Sequence, residues 1–273
     1  MQGNWGPGLH VAVGRRVNSS AYEQYVGRWS RLFVPAVLAA AGVAIGDRVL
    51  DVATGPGEAA AMALSLVGPS GLVVGADIAP AMLDTAKARF AGQRFRPVAM
   101  DGQALAFADA RFDAVICQLG LMFFPDPARG LEEFRRVLRL RRRAAVCVIS
   151  TPERAPLWGV LAETLSRYLP DQREVLHLSF ALADSGRLER LFGAAGYGDI
   201  SVTRETREGV LESFEDYWSP IEEGVGSLPQ AYRALLEANR LAVQHEVKAG
   251  LSQFENDGRL AMSVEMLIGA GHA

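Results

Sequence analysis

Cysteine is almost missing from this chain: there are two in 273 residues, Cys117 and Cys147. No CxxC pair and no cysteine–histidine cluster occurs, so neither a disulfide framework nor a metal site is expected. Both cysteines fall in apolar stretches, which predicts buried thiols in a reducing compartment. Histidine is scarce too, at His10, His177, His245 and His272. No apolar run reaches eighteen residues, so no membrane span is expected. Basic residues are not in excess. Lys and Arg total 28 against 31 Asp and Glu, a formal net charge of -3, so there is no electrostatic case for nucleic acid. The N-terminus lacks the charged-then-apolar pattern of a secretory signal. These absences lead to the expectation of a cytoplasmic protein acting on a small molecule.

What is present is core-forming: 49% of the residues are hydrophobic. That is enough for one α/β domain with insertions, or a domain plus a lid. The informative stretch begins at Arg48. A short apolar strand, 48–52, contains Asp51 and runs into Ala53, Thr54, Gly55, Pro56 and Gly57. A helix, 58–67, follows. The pattern then repeats. Strand 72–77 ends in Asp77 ahead of a helix over 78–90, with Pro80 in its first turn. Strand 95–100 is followed by Asp101, Gly102 and Gln103. Carboxylates at successive strand ends make a nucleotide-type pocket at the carboxyl edge of a parallel sheet.

Gly55, Gly57 and Ala60 loosely match the dinucleotide fingerprint. A pyrophosphate on that helix N-terminus would meet Glu58, lose an amide donor at Pro56 and face Asp51. The loop therefore reads as hostile to phosphate and welcoming to a cation. S-adenosylmethionine fits: it carries an ammonium and a sulfonium and no phosphate. Here the chain resembles the class I S-adenosylmethionine-dependent methyltransferases, in the group around the ubiquinone/menaquinone C-methyltransferases. Residues 101–107 resemble that family's "gDaeaLPF" pattern, and 111–115 its "sFDvV" strand.

The resemblance implies a Rossmann-like, doubly wound α/β fold. Its seven-stranded, mostly parallel sheet would carry helical inserts as a lid over the substrate pocket. It also implies roles. The backbone of Ala53, Thr54, Gly55 and Gly57 would lie against the methionine moiety, with Asp51 orienting the ammonium. Asp77 would accept the ribose hydroxyls, or simply cap its helix. Ile78 and Met82 would cover the adenine, with Asp101, Gly102 and Gln103 at its edge. Gln118, at the end of the fourth strand, would face the reacting methyl as a positioning residue. Segment 22–35 resembles an N-terminal stretch that folds across the cofactor in this group. Arg28 could then pair with the methionine carboxylate, with Tyr22 hydrogen-bonding nearby; core packing is the competing reading of both. The usual Pro-Gly-Gly before the fifth strand is replaced by Leu140, Arg141, Arg142 and Arg143. That predicts a different turn or a longer helix, with the arginines on a solvated edge.

The expected organisation is an irregular tail at 1–18, a helical lid segment at 19–45, the cofactor-binding core at 46–150 and the rest of the sheet at 151–273. Inserts at about 152–180 and 207–228 would roof the pocket, and their aromatic content suits an apolar or aromatic acceptor. A single long helix is predicted over 228–248 and a last strand over 260–269. His177, on the first insert, is the candidate base. Methyl transfer from a sulfonium is an in-line displacement that needs alignment more than acid–base chemistry. Carbon or oxygen is the expected target ahead of nitrogen, with S-adenosylhomocysteine as product. A non-transferring protein that keeps the pocket, as a cyclase or regulator, is the alternative. An NAD-dependent oxidoreductase is a weaker one, lacking a Tyr-x-x-x-Lys pair. A homodimer is compatible with the sequence.

Overall fold

The computed structural model describes residues 19–224 and 226–273. The expected tail at 1–18, with His10, lies outside the described residues. The strands are β1 (Arg48–Val52), β2 (Leu72–Asp77), β3 (Phe95–Ala99), β4 (Phe112–Gln118), β5 (Leu138–Ile149), β6 (Gly198–Leu211), β7 (Glu255–Asn256) and β8 (Arg259–His272). They form one sheet in the order β3-β2-β1-β4-β5-β8-β6, with the short β7 pairing on β8. Neighbours from β3 to β5 are parallel, while β8 runs antiparallel to both β5 and β6. The expected mostly parallel sheet is present, with the two-residue β7 as an eighth strand.

Helical turns run Ser19–Tyr22, Glu23–Gly27 and Arg28–Ser30, ahead of α1 (Val34–Ala40). Then come α2 (Glu58–Val67), α3 (Pro80–Arg89), α4 (Pro127–Val137), α5 (Pro156–Tyr168), α6 (Ser185–Ala194), α7 (Phe214–Glu222), α8 (Ser227–Arg233) and α9 (Glu237–Leu251). Local chemistry sets their starts. Asp126 and Asp184 accept the amides of Arg129 and Arg187 at the heads of α4 and α6, and Ser213 accepts the Asp216 amide at the head of α7. Every residue of β4 is buried, as an apolar central strand of a covered sheet should be. Strand order reverses between β1 and β4, which leaves a crevice at their carboxyl ends.

Three expectations change. The run at 140–143 is neither a turn nor a longer helix. It belongs to β5, where the register against β4 shifts between the Phe112–Leu138 and Ala114–Arg143 pairs. Arg141 takes φ +62° there, and its amide donates to the Ala273 carbonyl. Arg141 is exposed and Arg142 and Arg143 half-buried, as expected of a largely solvated edge, but ion pairs form along it. Arg139 pairs with Asp113, and Arg142 with Asp47 and Asp113. Both aspartates are buried, so the guanidiniums neutralise charges that the fold has desolvated.

Second, the predicted long helix is two, α8 and α9, broken at Leu236, whose backbone is extended. The break lets α8 set Tyr232 edge-on to Trp218, centroids 5.0 Å apart, while α9 buries Val243, Val247 and Leu251. The sequence holds no glycine or proline at the break, so no local signal marks it. Third, β6 continues to Leu211, past the expected end at Thr206, because its ladder with β8 extends to the Leu211–Leu260 pair. The roofing insert therefore starts later than residue 207. As an edge strand, β6 carries Arg204, Glu205, Arg207 and Glu208, which discourages pairing with another chain.

Candidate active site

The crevice between β1 and β4 is a narrow cleft with a cavity volume of about 20 Å³, lined by Tyr22, Ser30, Asp51, Ala53, Thr54, Pro56, Glu58, Ala59 and Gln118. Asp51 and Ile116 are register partners. Gln118 lies two residues beyond Ile116, so it projects to the same face as Asp51. The loop after β1 is tight. Ala53 and Leu119 take left-handed backbone conformations, at φ +56° and +53°. A Cβ on Gly120 would stand 2.5 Å from the Ala53 Cβ, so the two strand-end loops meet without room for another atom.

Asp51 is fully buried. Its Oδ2 accepts the Thr54 hydroxyl at 2.6 Å, and its Oδ1 has no partner. Burial first, and then the nearby Asp77 charge, push its pKa up to about 7, against the pull of the Thr54 hydroxyl and the Ala60 amide. Gln118 is also buried. Its Nε2 donates to the Ser30 carbonyl and the Ser30 hydroxyl, each at 3.2 Å, and its Oε1 has no partner. Two orphaned acceptors thus line one cleft. The other unpartnered side-chain atoms among the described residues, on Tyr25, Arg28, Trp29, Arg143 and Arg240, belong to residues that do not line it. Buried acceptors without donors mark a place for a donor-rich, cationic ligand.

The family profile described as a methyltransferase domain matches residues 49–140. The demethylmenaquinone methyltransferase of Clavibacter sepedonicus is 38% identical over 140 residues, 49% of this chain and 56% of that protein. That of Corynebacterium kroppenstedtii is 33% identical over 166 residues, 57% of this chain and 69% of that protein. The chain therefore spans between about half and two thirds of these relatives. The chain belongs to the class I S-adenosylmethionine-dependent methyltransferases, in the quinone methyltransferase group. Solved methyltransferase-like folds agree in architecture. The YcgJ protein of Bacillus subtilis superposes with a TM-score of 0.54 at 17% identity, covering 88% of this chain and 98% of its own. Phosphoethanolamine N-methyltransferase 2 of Haemonchus contortus, in complex with S-adenosyl-L-methionine, superposes at 0.58 with 18% identity, covering 93% of this chain and 56% of its own.

The cleft gathers five of the predicted site residues of this methyltransferase-family chain: Tyr22, Asp51, Ala53, Thr54 and Gln118. Gly55 and Asp77 stand beside them, joined by the Gly55 amide donating to Asp77 Oδ2 at 2.8 Å. The other Asp77 oxygen accepts the Ala79 amide at 2.8 Å, which shapes the turn ahead of α3; the N-cap of α3 is Ala79, with no side-chain cap, so Asp77 does not cap the helix. The Ile78 amide is a third backbone donor to this carboxylate, which leaves about one of its four lone-pair sites. Burial raises the Asp77 pKa, against three backbone amides that lower it. Gly57 takes φ +90°, and a Cβ there would stand 2.3 Å from the Phe90 ring, so glycine is needed for close packing under the loop. Ile78, Met82, Asp101, Gly102 and Gln103 do not line the cleft. Ile78 packs on the core, and a Cβ on Gly102 would press on Phe124. Asp101 accepts the Gln103 amide at 2.8 Å, and Gln103 in turn accepts the Asp126 amide at 2.7 Å.

Other expectations are corrected. Arg28 is not turned to the cleft. Its Nη1 donates to both Asp216 carboxylate oxygens at 3.1 Å, and its Nη2 to the Asp216 carbonyl. The partner lies 188 positions away, which no sequence pattern reveals. His177 does not line the cleft either. Its Nε2 faces the Ser166 hydroxyl at 3.1 Å and Glu163 at 3.5 Å, and burial lowers its pKa. Ser166 donates to the Ala162 carbonyl. Because serine and glutamate meet the same ring nitrogen, the cluster is not a nucleophile–base–orienter relay. Glu58 does not stand as a bare anion against phosphate. It is buried and pairs with Arg31 at 3.0 Å and with Arg89. The phosphate-hostile loop argument therefore loses its main charge, and the orphaned acceptors replace it. Ser30 was missed. A serine on an apolar helical turn carries no local mark, and only the closure of that turn onto β4 gives it a partner.

Proposed function

We propose that this chain transfers the methyl group of S-adenosylmethionine to a carbon of a small, apolar, quinol-type acceptor. The observation that carries the cofactor reading is the pair of buried, unpartnered acceptors, Asp51 Oδ1 and Gln118 Oε1, on one face of the cleft. They match an ammonium and have no use for a phosphate. The names of the curated relatives support the acceptor class and favour carbon over oxygen and nitrogen.

When bound, the cofactor supplies an already activated methyl group. The chain's own residues then have three tasks. Asp51 and Gln118 hold the cationic end, with the Asp51 carboxylate fixed by Thr54. The lone-pair site left on Asp77 accepts a ribose hydroxyl, and Asp101 with the Gly102 amide serves the adenine edge. The helical turns at 19–30 exclude water, since Tyr22 and Ser30 already stand at the cleft. The buried aromatic wall of Tyr217, Trp218 and Tyr232 supports a roof suited to an apolar acceptor. No proton-transfer role is assigned to His177. No helix among the described residues is long and apolar enough to cross a membrane, and the absence of a basic excess supports a small-molecule acceptor. We further read the chain as cytoplasmic, with homodimer formation open to a sizing measurement.

Calorimetry with S-adenosylhomocysteine and with NAD tests the cofactor. S-adenosylhomocysteine is expected to bind and NAD not; the reverse order would overturn the reading. Transfer of a labelled methyl to demethylated quinols tests the acceptor. The [4+2]-cyclase SpnF shares this fold, with a TM-score of 0.53 at 16% identity over 89% of this chain and 80% of its own. Cofactor binding with no labelled product from any quinol would move the reading to such a non-transferring role.

A further inference from the structure

We infer that Ser30 is a positioning residue for the cofactor cation, acting through the amide of Gln118. The inference rests on the cofactor reading above and names the device that aims one of its two acceptors.

A glutamine amide has two faces of nearly the same shape, one donating and one accepting. In the cleft only the accepting face suits an ammonium. The Ser30 carbonyl decides the matter. It can only accept, so it holds Gln118 Nε2 at 3.2 Å and would repel Oε1. The Ser30 hydroxyl takes the second N–H at 3.2 Å. With both amide hydrogens used, Oε1 is left buried and unpartnered in a residue that lines the cleft beside Asp51. Ser30 is 5% exposed and Gln118 8%, so water does not compete for these bonds.

The partners lie 88 positions apart. Gln118 ends a central strand, whereas Ser30 ends the helical turns that cover the cleft. Arg31, which follows these turns directly, pairs with Glu58, a residue that lines the cleft. Seating that segment therefore does two things at once: it closes the cleft, and it turns the Gln118 oxygen inward. With the segment lifted, the amide loses both Ser30 acceptors, only the Cys147 thiol remains beside it, and the cation loses one aimed acceptor. Cofactor recognition and closure are coupled through one side-chain amide.

Titration with S-adenosylhomocysteine at pH 8, on the full chain, tests this. Ser30→Ala keeps the carbonyl and removes one hydrogen bond, so about a fivefold weakening is expected. In a Gln118→Ala background the same change is expected to cost less than twofold. Equal losses in both backgrounds would overturn the inference, because a merely structural serine would act without Gln118. Gln118→Glu gives a second check. A carboxylate cannot donate to the Ser30 carbonyl, so binding is expected to weaken at least tenfold despite the added negative charge. Unchanged or tighter binding would show that the acceptor works without Ser30. Trypsin cleavage after Arg31 reports closure: S-adenosylhomocysteine should slow it in the wild type, and in Ser30→Ala only at about fivefold higher concentration. If the wild type fails to bind S-adenosylhomocysteine, the cofactor reading falls and takes this inference with it. If the wild type binds and the cycle is additive, only this inference falls.

Discussion

Replacing Asp51 by Asn isolates the charge on which the cleft depends. In the ligand-free protein burial lifts the Asp51 pKa to about 7, so the carboxyl is about one-tenth ionised at pH 6 and about nine-tenths ionised at pH 8. A cation that binds only the ionised form gains roughly tenfold in affinity between those values, about 1.4 kcal/mol. The sign for stability is the opposite. A folded-state pKa above the ordinary carboxylate value favours the folded protein fully below about pH 4, and that contribution is lost as pH rises through about 7. The loss is on the order of 4 kcal/mol by pH 8. Asparagine cannot ionise and escapes it. Asp51→Asn should therefore melt higher than the wild type at pH 8 without ligand, with the gap narrowing toward pH 5. The same variant should bind S-adenosylhomocysteine more weakly at pH 8, with an affinity flat from pH 6 to 8. Calorimetric titration and thermal melts across that window measure both effects. A wild-type affinity that does not change with pH, or a variant that keeps the wild-type slope, would refute the reasoning.

Four further outcomes are expected. Breaking Arg28–Asp216 by Asp216→Asn should cost about 1 kcal/mol in urea unfolding, since both side chains are nearly a third exposed and solvent screens the pair. S-adenosylhomocysteine affinity in Arg28→Met should move less than tenfold; a larger loss would return Arg28 to the ligand. Ala53→Gly should stabilise the fold by about 1 kcal/mol by relieving the left-handed alanine, read as a higher urea midpoint. Glu58→Gln should destabilise by roughly 1–2 kcal/mol, because Arg31 and Arg89 would share a site with no full counter-charge; an unchanged urea midpoint would show that the arginines do not need it.

The sequence by itself determined the core of the sheet. Buried strands at 48–52, 72–77 and 112–118 and the helices between them are legible because apolar periodicity, glycine loops and capping residues act over a few neighbours. For the same reason Asp51, Ala53, Thr54 and Gln118 could be assigned to one strand-end crevice: a parallel sheet forces successive strand ends to one edge. Tertiary structure alone decided what those side chains touch. Arg28 goes to Asp216 instead of the cleft, Glu58 is neutralised by Arg31 and Arg89, and Ser30 aims Gln118. Each of these is a pairing across tens to hundreds of positions, where burial and charge balance choose the partner and the local pattern is silent. The break at Leu236 and the reach of β6 to Leu211 belong with them, because both are set by what the segments pack against and by no residue within them.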